Sequence, residues 1–377
     1  EPAADFIQQE PNEGAPATEQ TEVWVLFDSE TIYVSARCWD SQPDRTVANE
    51  MRRDSFQIVN NDYFSAVFDT FYDRRNAVGF MVNPIGGFSD IEIVDERPSS
   101  MDWNPVWNVR TGRFDGGWTV EMQIPFKSIR FRPGQTQLWG LQLGRHIRWK
   151  NERAYLTPVP ISGGPGEMWV SAGSTLTGIE VPEGNRTFEI KPYGIGSLAT
   201  DVNAVPLVRN EGDGDFGVDV KYGLTQNLTA DFTYNTDFAQ VEVDEQQVNL
   251  TRFPLFFTEK RDFFLEDSGV FFFGPSTGYR RRPDVVPFFS RRIGLDDEGA
   301  EVPLQVSAKI TAQTDNYSFG LLDVQTGASS GLEERNLFVG RYSRNILDQS
   351  DVGLIWTHGH PTADTDSDTV GVDFNYR

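Results

Sequence analysis

Cysteine and histidine are nearly missing from this 377-residue chain. Cys38 stands alone and cannot form an internal disulfide, and three histidines (His146, His358 and His360) leave little for a His-rich zinc site or a Cys-based redox centre. Lysine is scarce too, with six in the whole chain, while Asp and Glu outnumber Lys and Arg 56 to 33. A formal charge of -23 and a pI near 4.5 remove the basic surface that phosphate neutralisation needs, which excludes nucleic acid as a partner. The acids are spread rather than blocked, which fits a solvated surface or, less commonly, calcium sites. No apolar run approaches the roughly 18–20 residues of a spanning helix; Val270–Phe273, for example, is only four long. No apolar leader precedes the body of the chain, which begins at Glu1 without methionine, so a processed or excerpted form is expected.

What is present is alternation with a period of two. Short runs of apolar and polar residues, separated by Gly, Pro, Asn and Asp, recur from end to end, and helical periodicity is almost absent. The fold class is therefore all-β. Over the first 180 residues, Glu22–Ala36 reads as two strands around an Asp28-Ser29-Glu30 turn, Tyr63–Phe71 and Val78–Asn83 as an adjacent pair, and Trp118–Ile124 and Leu138–Ile147 as further strands. Strands of this length with polar turns suit two packed antiparallel sheets. The Gly/Pro/charged stretch Gly178–Arg186 reads as a linker, dividing the chain into residues 1–182 and 183–377.

Beyond the linker the alternation is one-sided. Phe216, Val218, Val220 and Tyr222 alternate with Gly217, Asp219, Lys221 and Gly223; after a turn, Leu228, Ala230, Phe232 and Tyr234 alternate with Thr229, Asp231, Thr233 and Asn235. The pattern returns in Leu304–Ala312, Tyr317–Leu321, Val352–Trp356 and Val370–Tyr376. A soluble sandwich with a dry interior and a membrane barrel with an apolar exterior and a wet lumen both produce it. Small and polar residues on one face, with Tyr222, Tyr234, Tyr317, Trp356 and Tyr376 at strand ends of the other, tilt the reading towards the barrel. The chain stops one residue after a strand, as a truncated barrel would.

The segment Asn235–Gly274 (NTDFAQVEVDEQQVNLTRFPLFFTEKRDFFLEDSGVFFFG), with Pro287–Gly294 (PFFSRRIG), resembles the domain of unknown function that forms the C-terminal barrel of many bacterial outer-membrane proteins. The preceding Val23–Leu176 is similar to carbohydrate-binding module family 9, through Asp69–Arg75 (DTFYDRR), Val82-Asn83-Pro84 with Gly86, Trp103 and Trp107, Gly117-Trp118 with Glu121, Ile124–Phe131 (IPFKSIRF), and Trp139-Gly140 with Arg145, Asn151 and Glu152. The resemblance implies an antiparallel β-sandwich followed by a truncated antiparallel outer-membrane-type β-barrel. It departs from the family in lacking the usual opening strand and the full barrel length. It further implies glycan and outer-membrane lipid as partners, and a bacterial outer-membrane location with the N-terminal domain in the periplasm.

Sugar recognition needs flat apolar rings against the CH face of a pyranose, with amides, carboxylates and arginines on its hydroxyls. Trp103 and Trp107, four residues apart beside Asn104 in the Pro-containing stretch Asp102–Trp107, form either such a platform or a core plug closing one end of the sandwich. Arg74, Asn83, Asp90, Arg148, Asn151 and Glu152 complete the candidate set, each equally able to serve as a loop hydrogen-bonder.

A glycosidase would need two carboxylates about 5–9.5 Å apart; Asp62/Asp69/Asp73 and Glu242/Asp244/Glu245 are the densest groupings, neither in a catalytic context. A catalytic triad has no better support, and no His-Glu-x-x-His pattern occurs. Asp213/Asp215 and Asp364/Asp366/Asp368 have the odd spacing of a calcium loop without its closing Glu, so calcium stays possible while no cofactor is required. His358 and His360 flank Gly359 in a turn, and Cys38 reads as a small buried hydrophobe. In Phe256–Leu265 (FFTEKRDFFL), Glu259, Lys260, Arg261 and Asp262 stand between pairs of phenylalanines; in a barrel this stretch should fold inward or cap a mouth, with Arg291 and Arg292 as partners for its acids.

The sequence thus points to a carbohydrate-binding, outer-membrane-associated protein serving polysaccharide capture or catabolism. The alternatives are a transport or structural barrel with a non-binding periplasmic sandwich and, behind it, a hydrolase acting on O-glycosyl bonds.

Overall fold

The computed structural model describes all residues except 101–102, 133, 182–187, 202–207, 226, 237–258, 275–284, 297–300, 315, 329–332, 348–349, 362–365 and 377, and the side chains of 97–100, 195, 197, 199, 201, 208, 211 and 213. It is all-β and antiparallel, with one helix of four residues, α1 (Asp262–Leu265), among the described residues.

Two sheets build the N-terminal half. Strands β2 (Thr21–Phe27), β3 (Thr31–Trp39), β8 (Asn108–Phe114) and β9 (Gly117–Pro125) form one sheet, ordered β2-β3-β9-β8. The other contains β1 (Ile7–Glu10), β4 (Tyr63–Asp69), β5 (Ala77–Val82), β6 (Phe88–Val94), β7 (Arg97–Ser100), β10 (Thr136–Ile147) and β11 (Glu152–Tyr155), ordered β1-β11-β10-β4-β5-β6-β7, with β12 (Ser174–Glu180) also paired to β10. The turn between β2 and β3 forms where expected, because Asp28 Oδ1 accepts from the main-chain N–H of Glu30 (2.8 Å) and Thr31 (2.9 Å). Inward residues of both sheets, including Val34, Cys38, Val120 and Met122 from one and Phe64, Phe68, Phe80 and Leu143 from the other, share a single core. Cys38 is fully buried within it. An edge strand absent from the expectation is supplied by β1, whose Ile7 pairs with Tyr155.

The C-terminal half is one meander of eight strands: β13 (Phe188–Asp201), β14 (Val208–Gly223), β15 (Leu228–Thr236), β16 (Leu304–Gln313), β17 (Tyr317–Thr326), β18 (Arg335–Ile346), β19 (Ser350–His358) and β20 (Asp368–Asn375). Sequence alternation located six of these and missed β13 and β18. Strands β13 and β20 are not paired with each other, so the described strands make an open sheet and no closed barrel.

Many polar side chains of this sheet face inward, among buried apolar ones, and many apolar side chains face outward. Asp231, Thr233, Ser307, Lys309, Thr311, Arg341, Asp351 and Asp373 are buried, whereas Phe188, Ile190, Phe216, Phe232, Tyr234, Leu321, Tyr342, Leu354, Trp356, Val372 and Phe374 are exposed. The polar face is buried because two things cover it. Residues 259–274 lie against it, with Phe263, Phe264, Val270 and Phe271 packed on Leu304, Leu322, Val324, Leu337, Val339 and Ile355. Wall glycines make room for these rings: a Cβ on Gly320 would lie 2.6 Å from Phe271, and one on Gly371 would lie 2.6 Å from Phe273. The inward course expected for Phe256–Leu265 is thus observed from Glu259 onward. Glu259 is gripped from two residues away by Arg261 (2.7 and 2.8 Å), which also donates to the carbonyls of Ser290 and Ile293, where the sequence had suggested Arg291 and Arg292.

The second cover is the sandwich itself. Arg75 pairs with Asp95 in its own domain and with Asp351 on β19, and donates to Asn345 Oδ1 on β18 (3.3 Å). These contacts lie at the rim where connections are short, spanning residues 224–227, 314–316 and 347–349. The opposite rim carries the long ones, 202–207, 237–303, 327–334 and 359–367.

Candidate functional site

Between the sandwich and the sheet's short-turn rim lies a cleft of about 270 Å³, lined from one side by Trp103, Asn104, Pro105, Val106, Lys127 and Ser128 and from the other by Phe188, Glu189, Lys191, Lys221, Asp262, Leu265 and Glu266. It shares Trp103, Lys127, Ser128, Lys221 and Glu266 with a second cavity of about 190 Å³, which reaches inward to Arg75, Arg130, Arg341, Asp351 and Asp373. Together they approach the size of ordinary small-ligand sites, about 300–1,000 Å³.

Local sequence explains the shape. Pro105 holds Asn104 extended, and residues 103–107 run without regular structure before β8. Trp107 turns inward: it is 5% exposed, its ring meets Phe80 (4.9 Å) and Phe88 (5.0 Å), and its Nε1 donates to Asp90 Oδ1 (2.8 Å). Trp103 lies over the edge of the core, 6.0 Å from Phe80, and its remaining surface faces the cleft with Asn104. Of the paired tryptophans, one is therefore a core plug and the other a wall of the cleft.

The remaining candidates do not converge on that cleft. Asp90 is fully buried and bound by Trp107 and by Arg53 Nη2 (3.0 and 3.3 Å). Burial, reinforced by nearby Asp54, pushes its carboxyl up to about 7 despite those donors. Asn83 closes the β5–β6 turn, accepting from the main chain of Ile85 and Gly87 and donating to Glu50 O (2.6 Å). Glu152 is buried and accepts from Thr18 N (2.8 Å) and Oγ1 (2.6 Å). Arg148 and Asn151 share the β10–β11 turn, where Asn151 adopts a left-handed φ of 50° and Arg148 Nη1 reaches its Oδ1 (3.2 Å). Arg74 belongs to the opposite end of the sheet, donating to Gly173 O (2.6 Å), Tyr72 OH (2.8 Å) and Thr175 Oγ1 (3.0 Å). Asp102, the linker residues 182–186, Glu242, Asp244, Glu245 and Asp364 lie outside the described residues.

Among the carboxylate groupings, Asp69 and Asp73 are engaged by the main chain of their own turn, at Asp73, Arg74, Arg75 and Asn76. Burial first, and Asp73 second, push Asp69 up to about 7. No cluster of three or more His, Cys, Asp or Glu suited to a metal ion is found among the described residues. Gly-x-Ser-x-Gly strings occur at Gly274–Gly278 and Gly327–Gly331, and their central serines, Ser276 and Ser329, lie outside the described residues.

The cleft residues that sequence patterns missed are Lys127, Ser128, Glu189, Lys191, Asp262 and Glu266. Three of the six lysines, Lys127, Lys191 and Lys221, line this one cleft, and a fourth, Lys309, is buried just behind it against the carbonyls of Phe263 (2.6 Å) and Glu266 (2.7 Å). That scarcity was the available signal. Lys191 stands 3.4 Å from Glu189 and 3.5 Å from Asp262, and Lys221 pairs with Glu266, so the lining is charge-balanced and rich in directed donors and acceptors.

Comparison with known proteins adds a partial family match and little else. The model of a domain of unknown function, DUF5916, matches residues 189–322, which run from β13 into β17 and cover less than half of the chain. No curated protein matches. Among solved structures, the chain is similar to a candidate carbohydrate-binding protein from Bacteroides uniformis at 9% identity, covering 47% of this chain and 86% of that one. The TM-score is 0.37, too loose a likeness to carry an argument about fold or ligand.

Proposed function

We propose that this chain is a bacterial outer-membrane protein whose sandwich stands on the periplasmic side and presents a saccharide-binding cleft at the mouth of a polar-walled sheet. The observation that carries the reading is the outward-facing apolar surface of the sheet. An exposed band of Ile, Leu, Val and aromatic side chains in water would be an aggregation hazard; against lipid it is the required surface. Its aromatics sit in two rows. Phe188, Tyr222, Tyr317, Phe374 and Tyr376 lie towards the short-turn rim and Phe216, Tyr234, Phe338 and Trp356 towards the other, as interfacial girdles do. Short turns belong to the periplasmic side of such proteins and long loops to the outside, which supports a periplasmic position for the sandwich.

The glycan part rests on Trp103 and Asn104 in the cleft, an aromatic wall beside balanced polar groups that suits an uncharged sugar better than an anion. The second reading, a transport or structural barrel with a non-binding sandwich, is favoured by one observation: Trp107, Asp90, Asn83 and Glu152 are all consumed by the fold. Titration of the detergent-solubilised chain with xylotriose, cellotriose and maltotriose separates the two. Saturable quenching that vanishes in Trp103→Ala supports the cleft; no response to any of the three supports the non-binding sandwich. Recovery of the expressed protein in the alkali-washed outer-membrane fraction tests the location.

A further inference from the structure

Residues 237–303 form by far the longest connection in the sheet, and both ends, Thr236 and Leu304, lie at the long-connection rim. Yet the tip of its inward excursion reaches the other rim. Asp267, with a left-handed φ of 55°, accepts at Oδ2 from Thr311 Oγ1 (2.6 Å), two residues before β16 ends at Gln313. A second donor to the same oxygen comes from the sandwich: Arg130 Nη2 lies 2.5 Å away and also reaches Thr311 Oγ1 (3.2 Å). Sandwich, inward segment and wall thus meet at a single carboxylate oxygen.

Arg130 is well placed to hold something. Its turn is fixed by Phe126, Ile129 and Phe131, all buried in the sandwich core, while Lys127 and Ser128 of the same turn line the cleft. The sandwich touches the segment again at Gly269, where a Cβ would come within 2.4 Å of Val94. Arg75 ties the sandwich to the wall independently through Asp351, so loss of Arg130 does not by itself undock it. The middle of the segment is seated by its phenylalanines, which leaves the tip as the part that depends on a polar contact.

We infer that residues 259–274 are a plug over the polar face of the sheet and that Arg130 is the sandwich's latch on its tip. When the latch opens, the tip loses a partner at the short-turn rim and lifts towards the rim where the connection begins and ends. The inference needs neither the membrane nor the saccharide reading, since it rests on contacts alone.

Hydrogen exchange followed by mass spectrometry on the detergent-solubilised full chain tests it. In Arg130→Ala, exchange across residues 262–273 should accelerate about tenfold, because a buried carboxylate that has lost its arginine lowers the local opening free energy; β3 and β9 should not change. Arg130→Lys should fall between, and the charge-swapped double variant Arg130→Asp/Asp267→Arg should recover most of the protection. Unchanged exchange at 262–273 in Arg130→Ala overturns the latch, as does acceleration spread equally over β3 and β9. Should Arg130→Ala not fold, the double variant decides: protection near wild type supports the latch, and protection no better than Asp267→Arg alone overturns it.

Discussion

Arginine in place of Leu354 asks water and lipid for different answers. Leu354 lies on the outward face of β19 between Val352 and Trp356, opposite Tyr342 of β18 and Val372 of β20, and is 48% exposed. If water bathes that face, Leu354→Arg should change stability by no more than about 0.5 kcal/mol, because the arginine stem can cover the same neighbours while its head stays solvated. If lipid bathes it, an arginine near the centre of the apolar band should cost about 2–4 kcal/mol, whereas one at the interface costs about 0–1. Tyr376→Arg, beyond the end of β20 and 74% exposed, supplies the interfacial control. The two variants should therefore differ roughly 10- to 1,000-fold in folding equilibrium. Urea titration of the chain folded into phosphatidylcholine vesicles, followed by tryptophan fluorescence and heat-modifiable gel mobility, reads the difference. Equal midpoints for the two variants, or a folded, detergent-free soluble Leu354→Arg protein, would refute the lipid-facing assignment.

Other outcomes follow from single contacts. Trp107→Ala should cost about 3–5 kcal/mol in urea denaturation, while Trp103→Ala should cost under about 2 kcal/mol and act mainly on saccharide quenching; the reverse order would exchange their roles. Lys309→Met keeps the volume but strands Asp231 and the carbonyls of Phe263 and Glu266, so a loss of about 3–5 kcal/mol is expected, partly recovered by adding Asp231→Leu. Gly320→Val should displace the Phe271 ring and cost about 1–3 kcal/mol, read as faster proteolysis within residues 259–274. His146 is held neutral down to about 3, chiefly by burial and then by Arg153 and Arg148. The unfolded chain takes up a proton near pH 6.5 that the native state refuses, so stability is lost as pH falls from 6.5 towards 3, on the order of 4 kcal/mol by the lower limit. Asp69 and Asp90, pushed up, act with opposite sign over the same window. The measurement is therefore the difference between wild type and His146→Gln, whose stability should converge as pH is lowered.

Legibility in the sequence followed how local each cause was. The β2–β3 hairpin could be read because Asp28 makes its own turn, and β14–β15 because eight residues alternate without a break. Strand β18 escaped because Arg341 and Tyr342 fall where a hydrophobic count sees no preference, and β13 because Pro192, Gly194 and Gly196 mimic a turn. The site was less legible still. Trp103 and Trp107 have the same residue type and the same spacing argument, but opposite fates, decided by Phe80, Phe88 and Asp90 on strands that sequence cannot place beside them. The cleft needs Lys191 and Asp262 from the far side of the linker, which no spacing rule relates to Asn104.

Alternation alone could not tell a dry interior from a wet one, because it fixes which residues share a face and not what that face touches. Contact decides it. A polar face packed on water would need no glycines at Gly320 and Gly371, no carbonyl-bound Lys309 and no arginine from a neighbouring domain. A face that receives phenylalanine rings from residues 259–274 needs all three. Once the polar face is occupied, the apolar one must be the outer surface, since the sheet has only two. The sandwich stands where the connections are short because its last strand, β12, ends at Glu180 and β13 begins at Phe188, opposite Tyr222 at that rim. Whatever enters the cleft beside Trp103 therefore meets, within one cavity system, the turn that carries Arg130 and the segment that Arg130 holds.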